Sequence, residues 1–149
     1  MEKGNQSLLY FAYGEHMNEA EMLRDFPHAR MVGMSRLEGF CLCFVGRDGS
    51  ARAALEVHTK KSVPGRVWSL YEADAEDLDR IADDPYFARR EIRIVTVDRM
   101  SLPVLVYITV PGQQHGRPGF VTYDVMREAY ETAGEDVNAL RVLAMQSAP

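Results

Sequence analysis

The chain has 149 residues, 46% of them apolar, and a formal net charge of −5. That length suits one folding unit with a core of its own. An acidic total, with no basic run longer than Arg89-Arg90 or Lys60-Lys61, argues against a nucleic-acid partner. No stretch nears the ~18 apolar residues of a membrane span, and Met1–Ser7 is short and polar, unlike a signal peptide. A cytoplasmic protein with no membrane contact is expected.

In chain order, Leu8-Leu9-Tyr10-Phe11-Ala12-Tyr13 is an apolar, aromatic run that predicts a buried strand. Gly14 breaks it. Asn18 then suits an N-cap, with Glu19 and Glu21 at the positive end of a short helix. A strand, a glycine turn and a helix start leave backbone N–H groups pointing one way, which can hold an anion. Pro27 prevents that helix from continuing. Ala29 to Leu37 and Gly39 to Val45 predict two strands, the second apolar on both faces. Arg47-Asp48-Gly49-Ser50 is a turn, and Ala51 to Val57 a further strand. His58 to Gly65 is expected to be an exposed connection, with Gly65 to Tyr71 alternating as a strand.

The period then changes. Ala73 to Ala82 predicts a helix capped by Asp74 and stopped at Asp83-Asp84-Pro85. Tyr86 to Arg90 links to two strands, Glu91 to Val97 and Leu102 to Val110, joined at Asp98-Arg99-Met100-Ser101. Pro111 to Gly119 is a long segment rich in glycine and proline; such loops are either mobile or functional. Thr122 is expected to cap a helix from Tyr123 to Ala133, closed by Gly134. Val137 to Met145 reads as a last amphipathic helix. This order is not a regular β–α alternation, so the class expected is α+β: a curved mixed or antiparallel sheet with helices around it.

The only cysteines, Cys41 and Cys43, are two apart on a strand. They share a face and cannot bond to each other without strain. No second ligand pair accompanies them, so they read as small apolar fillers, and neither metal nor cofactor is expected. His28, His58 and His115 read as bystanders in turns and loops, and Trp68 as core.

The opening motif, Tyr-Phe-Ala-Tyr-Gly followed by two residues and Met17-Asn18, resembles that of the γ-glutamylcyclotransferase-like (AIG2-like) family. The likeness continues through Ala53-Ala54-Leu55, Gly65-Arg66-Val67-Trp68, Leu78-Asp79 and Tyr86. It goes on through the hairpin of residues 91–110 to Pro118 and Tyr123. It covers roughly residues 8 to 134 and implies a curved mixed sheet or partial barrel, one domain over 1–149, with the helix 137–146 added. Active members of that family cyclise γ-glutamyl amines to 5-oxoproline and a free amine, with a glutamate as proton carrier. An ammonium cannot attack a carbonyl until a base has taken its proton.

Two departures bear on that chemistry. The family's Tyr-Gly-Ser-Asn is Tyr13-Gly14-Glu15-His16 here, and the glutamate position falls on Ala82, whose methyl group carries no proton. The resemblance assigns substrate contacts to Tyr10, Phe11, Ala12, Tyr13, Gly14, His16, Met17, Tyr86 and Tyr123. One reading is therefore a small-molecule pocket for an amine or amino-acid-type metabolite without standard cyclotransferase chemistry. The alternative is an active amide-cleaving enzyme with Glu15, alone or paired with His16, or Asp83 as base. Asp83 would fall short in reach by about 1 Å, enough to cost about a hundredfold. An exposed apolar strand would favour a homodimer.

Overall fold

A computed structural model describes residues 8–148; Met1–Ser7, expected above to be a polar lead-in, lies outside the described residues. Five strands form one sheet: β1 (Leu8–Ala12), β2 (Arg30–Val45), β3 (Arg52–Leu70), β4 (Ala88–Val97) and β5 (Met100–Thr109). Four helices surround it: α1 (Glu19–Asp25), α2 (Ala75–Ile81), α3 (Phe120–Ala133) and α4 (Val137–Gln146). Short 3-10 turns at Glu15–Met17 and Glu72–Asp74 precede α1 and α2.

The strand order is β2-β3-β1-β5-β4, with β1 antiparallel to β3 and parallel to β5. The sheet is mixed and open, as the α+β reading expects. It curls until its two edges touch: the Ser35 hydroxyl of β2 donates to the Thr96 carbonyl of β4 at 2.7 Å. Beside it Gly33 is packed so closely that a Cβ there would lie 2.8 Å from Val97. Side chains, not a backbone ladder, bring these edges together, so the barrel stays partial.

The apolar alternation of β1 separates two cores. Leu9 and Phe11 face a large core with Met126 of α3 and Leu140 of α4. Leu8, Tyr10 and Ala12 face a second one with Met22 and Phe26 near α1, Trp68, Leu78 of α2 and Leu105. Trp68 is buried as expected, and Cys43 packs with Val45 and Ala54.

Three expectations are corrected. The region of residues 58–65 is not a connection: β2 and β3 form one long hairpin, and Ser62, Val63, Pro64 and Gly65 pair with Glu38, Leu37, Arg36 and Ser35. Two register shifts interrupt it, one between Met31 and Gly33 and one at Gly39, which has φ +88°; the second leaves residues 58–61 bulged out. Polar residues on an exposed strand edge mimic loop composition. Pro64 is tolerated because β1 ends opposite Arg66, so β3 has a neighbour on one side only there. Second, α3 begins at Phe120 with Gly119 as its N-cap, and Thr122 turns its hydroxyl elsewhere. Third, the segment 111–119 is strapped down. Gly46 N–H donates to Gln114, Gly116 N–H to Phe44, and both Gly49 and Ala51 N–H to Arg117. Tertiary backbone bonds of this kind leave no mark on composition. Two of the histidines read as bystanders are also partnered: His28 with Asp74 and His115 with Glu56.

Asp48 closes the strap by accepting from the Arg117 backbone N–H and, edge-on, from the Nε and Nη2 of its guanidinium, at 2.7 to 3.0 Å. These bonds hold its carboxyl at about 2, below its ordinary 3.8. A depressed carboxylate contributes stability above its ordinary value and loses it as pH falls through the folded one. Stability curves of the wild type and Asp48→Asn are therefore expected to differ above pH 4 and to converge towards pH 2. Parallel curves over that range in acid-dependent urea unfolding would refute the pairing.

Candidate functional site

A cavity of about 280 Å³ opens on the second core. Its walls come from Tyr10 of β1, the turn from Tyr13 to His16, the α1 residues Glu21, Arg24 and Asp25, and Arg52-Ala53 at the start of β3. Leu78, Ile81 and Ala82 at the end of α2, with Phe87, Ala88 and Tyr107, complete them.

The turn after β1 is held from below. Gly14 and Glu15 carbonyls accept the N–H groups of Met17 and Asn18. The Trp68 indole N–H donates to the His16 carbonyl at 2.9 Å. Asn18 is the expected N-cap: its Oδ1 accepts from Ala20 and Glu21 N–H, while its amide donates to the Val125 carbonyl in α3. The backbone that carries Glu15 and His16 is thus tied both to the sheet and to α3.

Within this frame His16 is buried. Its Nε2 lies 2.7 Å from an Asp25 carboxylate oxygen and its Nδ1 3.2 Å from the Tyr10 hydroxyl. A second chain of bonds runs nearby: Tyr13 donates to the Tyr107 carbonyl, and the Tyr107 hydroxyl donates to Asp79 at 2.6 Å. Asp79 in turn pairs with Arg90. Burial pushes the phenols of Tyr10, Tyr13 and Tyr107 above the usual range, so all three are protonated at neutral pH. Arg52 places its guanidinium 4.1 Å over the Phe87 ring and donates to the Ile81 carbonyl. Three carboxylates (Glu15, Glu21, Asp25) thus line the cavity against two guanidiniums (Arg24, Arg52).

The structure brings together Tyr10, Tyr13, Gly14, Glu15, His16 and Ala82, which are neighbours around one cavity. Glu15 accepts a hydrogen bond from Thr122 at 3.1 Å. Phe11 faces the large core, and Ala12 and Met17 are buried packing residues outside the lining. Asp83 is exposed in left-handed backbone (φ 55°), and Tyr86 is 79% exposed; both stand outside the cavity. Tyr123 lines a separate hollow with Phe120, Arg141 and Met145. Sequence reasoning missed Asp25, Arg52 and Tyr107. Asp25 follows Glu21 by four residues on a helix, a spacing that shares a face. Arg52 and Tyr107 arrive through strand pairing and carry no local signal.

Among the described residues, Cys43, Glu56 and His115 hold donor atoms within 4.8 Å of one another. The set stops at three donors, His115 is closed on Glu56 at 2.7 Å, and burial pushes the Cys43 thiol up to about 12. Both cysteines are unbonded.

A family profile described as gamma-glutamyl cyclotransferase, AIG2-like, matches residues 10–130. The chain belongs to that family. Among solved structures, a gamma-glutamyl cyclotransferase shares 18% identity and a TM-score of 0.79, over 91% of this chain and 85% of the other. An uncharacterized human protein shares 18% identity and a TM-score of 0.81, over 93% and 87%. A mouse AIG2-like protein shares 23% identity and a TM-score of 0.59, over 70% and 78%. Among curated protein sequences none matches this AIG2-like chain. Within the AIG2-like fold the cavity is framed by the turn after β1 and the end of α2. Among the described residues no helix is long and apolar enough to cross a membrane.

Proposed function

We propose that this AIG2-like protein takes up a small amine or amino-acid-type metabolite between Gly14 and Ala82, without the glutamate-based chemistry that the family resemblance implies. The observation that carries the reading is the shared cavity. Ala82, where the resemblance puts the proton-carrying glutamate, faces the same space as the Tyr13-Gly14-Glu15-His16 turn. Arg24 pairs with Glu21 and Asp25 is held by His16, whereas Glu15 is bonded to the neutral Thr122 hydroxyl. That carboxylate favours a ligand with an ammonium group, and the buried phenols offer hydroxyls that orient it.

A second reading keeps amide cleavage with Glu15 as base, favoured because Glu15 lines the cavity. Its bond to Thr122 draws that carboxylate towards α3. Asp83, outside the lining, supports neither reading. The binding proposal is tested by thermal unfolding with γ-glutamyl-alanine, γ-glutamyl-p-nitroanilide, free glutamate and simple amines. A probe at a hundredfold its dissociation constant adds about 2.7 kcal/mol, which raises the midpoint by several degrees. Unchanged midpoints across the whole panel, at millimolar concentrations, would remove the proposal.

A further inference from the structure

We propose that Tyr10, His16 and Asp25 form a proton relay that takes the ligand's ammonium proton in place of a carboxylate at position 82. The inference rests on the preceding reading of the cavity and names its acid–base machinery. The three residues come from different elements: Tyr10 from β1, His16 from the 3-10 turn and Asp25 from the end of α1. All three line the cavity that Ala82 also faces.

The two distances allow one tautomer that carries a proton from Tyr10 towards Asp25. An ionised Asp25 only accepts, so the hydrogen of the neutral imidazole sits on Nε2, in the 2.7 Å bond. Nδ1 is then a lone pair, and at 3.2 Å it accepts the Tyr10 O–H. His16 is 7% exposed and both of its ring nitrogens are taken, Nε2 by Asp25 and Nδ1 by Tyr10, so it exchanges a proton with a ligand through Tyr10. Tyr10 is the catalytic residue; His16 and Asp25 are positioning residues behind it. A phenol raised by burial is a poor base alone. It becomes competent when its own proton can leave for Nδ1 at the same moment.

For a γ-glutamyl amide the step balances as follows. The Tyr10 oxygen receives a proton from the α-ammonium while its own passes to Nδ1, and the imidazolium is held by Asp25. The freed amine attacks the γ-carbonyl carbon; a C–N bond forms and the carbonyl π pair moves to oxygen. On collapse the original amide C–N bond breaks, and the relay runs backwards to protonate the departing nitrogen. The α-nitrogen loses two protons in all, the second from the tetrahedral intermediate. With γ-glutamyl-alanine the departing nitrogen gains two, one from the relay and one from solvent, whereas weakly basic p-nitroaniline gains one and the other proton goes to solvent, so no co-reactant is consumed.

The test measures 5-oxoproline release and thermal midpoints in parallel, with γ-glutamyl-alanine and γ-glutamyl-p-nitroanilide as probes. The wild type is expected to turn both over. Tyr10→Phe keeps the ring and its packing; it is expected to lose about a hundredfold or more in kcat, with KM within about twofold and the midpoint shift intact. Asp25→Asn is expected to lower kcat without raising KM, and Asp25→Glu to recover part of the loss. A purely structural Asp25 would instead lower the midpoint and leave kcat alone. Unchanged kcat in Tyr10→Phe overturns the relay, as does a loss in Glu15→Gln alone. A wild type that is stabilised by the probes yet releases no 5-oxoproline overturns the relay and leaves the pocket standing. Probes that neither stabilise nor react remove both.

Discussion

Gly65→Ala is expected to destabilise the fold by about 1–3 kcal/mol, the cost of overpacking a filled core. A Cβ at Gly65 would sit 2.4 Å from the tip of the Phe11 ring and 2.7 Å from two more of its atoms. Phe11 is fully buried in the large core and cannot swing clear. The stiffer alanine backbone offsets about 0.4–1 kcal/mol of this through the unfolded state, which is smaller than the clash. The measurement is urea unfolding of the single variant, of Phe11→Leu and of the double variant. The smaller leucine makes room, so the double variant is expected to be more stable than the sum of the single effects predicts. A Gly65→Ala protein within 0.5 kcal/mol of wild type would mean that this contact is not present.

Ala82→Glu is expected to raise 5-oxoproline release from γ-glutamyl-alanine by ten- to a hundredfold and to rescue Tyr10→Phe. A positioned general base contributes about 10²–10⁴-fold, and a base added to an unadapted site captures only part of that. Position 82 is half-buried and near the Arg52 guanidinium, which already donates to the neighbouring Ile81 carbonyl, so a carboxylate there is neither stranded in apolar surroundings nor free of a counter-charge. Steady-state kinetics on four proteins (wild type, both single variants and the double) decide the matter. If Ala82→Glu binds the probe and turns over no faster than wild type, position 82 does not address the reacting atoms.

Much of the architecture was legible because local chemistry and tertiary demand agree. The apolar run at Leu8–Ala12, the Asn18 cap and the alternating 91–110 hairpin each formed as their residue types require. Misreadings arose where the partner is distant in sequence. Residues 62–65 look like a loop until β2 is laid beside them, and the glycine-rich 111–119 segment looks free until Asp48 and Arg117 are joined. Thr122 has the composition of a cap and serves as a donor to Glu15 instead. At the site, Tyr10, Gly14, Glu15 and His16 stand out because they are contiguous. Arg52 and Tyr107 do not, because only the sheet order brings them there. His16 stands out as a titratable residue, whereas its link to Asp25 depends on how α1 folds back after the turn.

The alternation along β1 has a consequence for substitution. Leu9 and Phe11 on this strand answer to the large core, whereas Tyr10, on the other face, packs in the second core and also forms part of the cavity wall. Over a span of five residues, a substitution can therefore reshape the cavity wall at one position while its immediate neighbour preserves the large core.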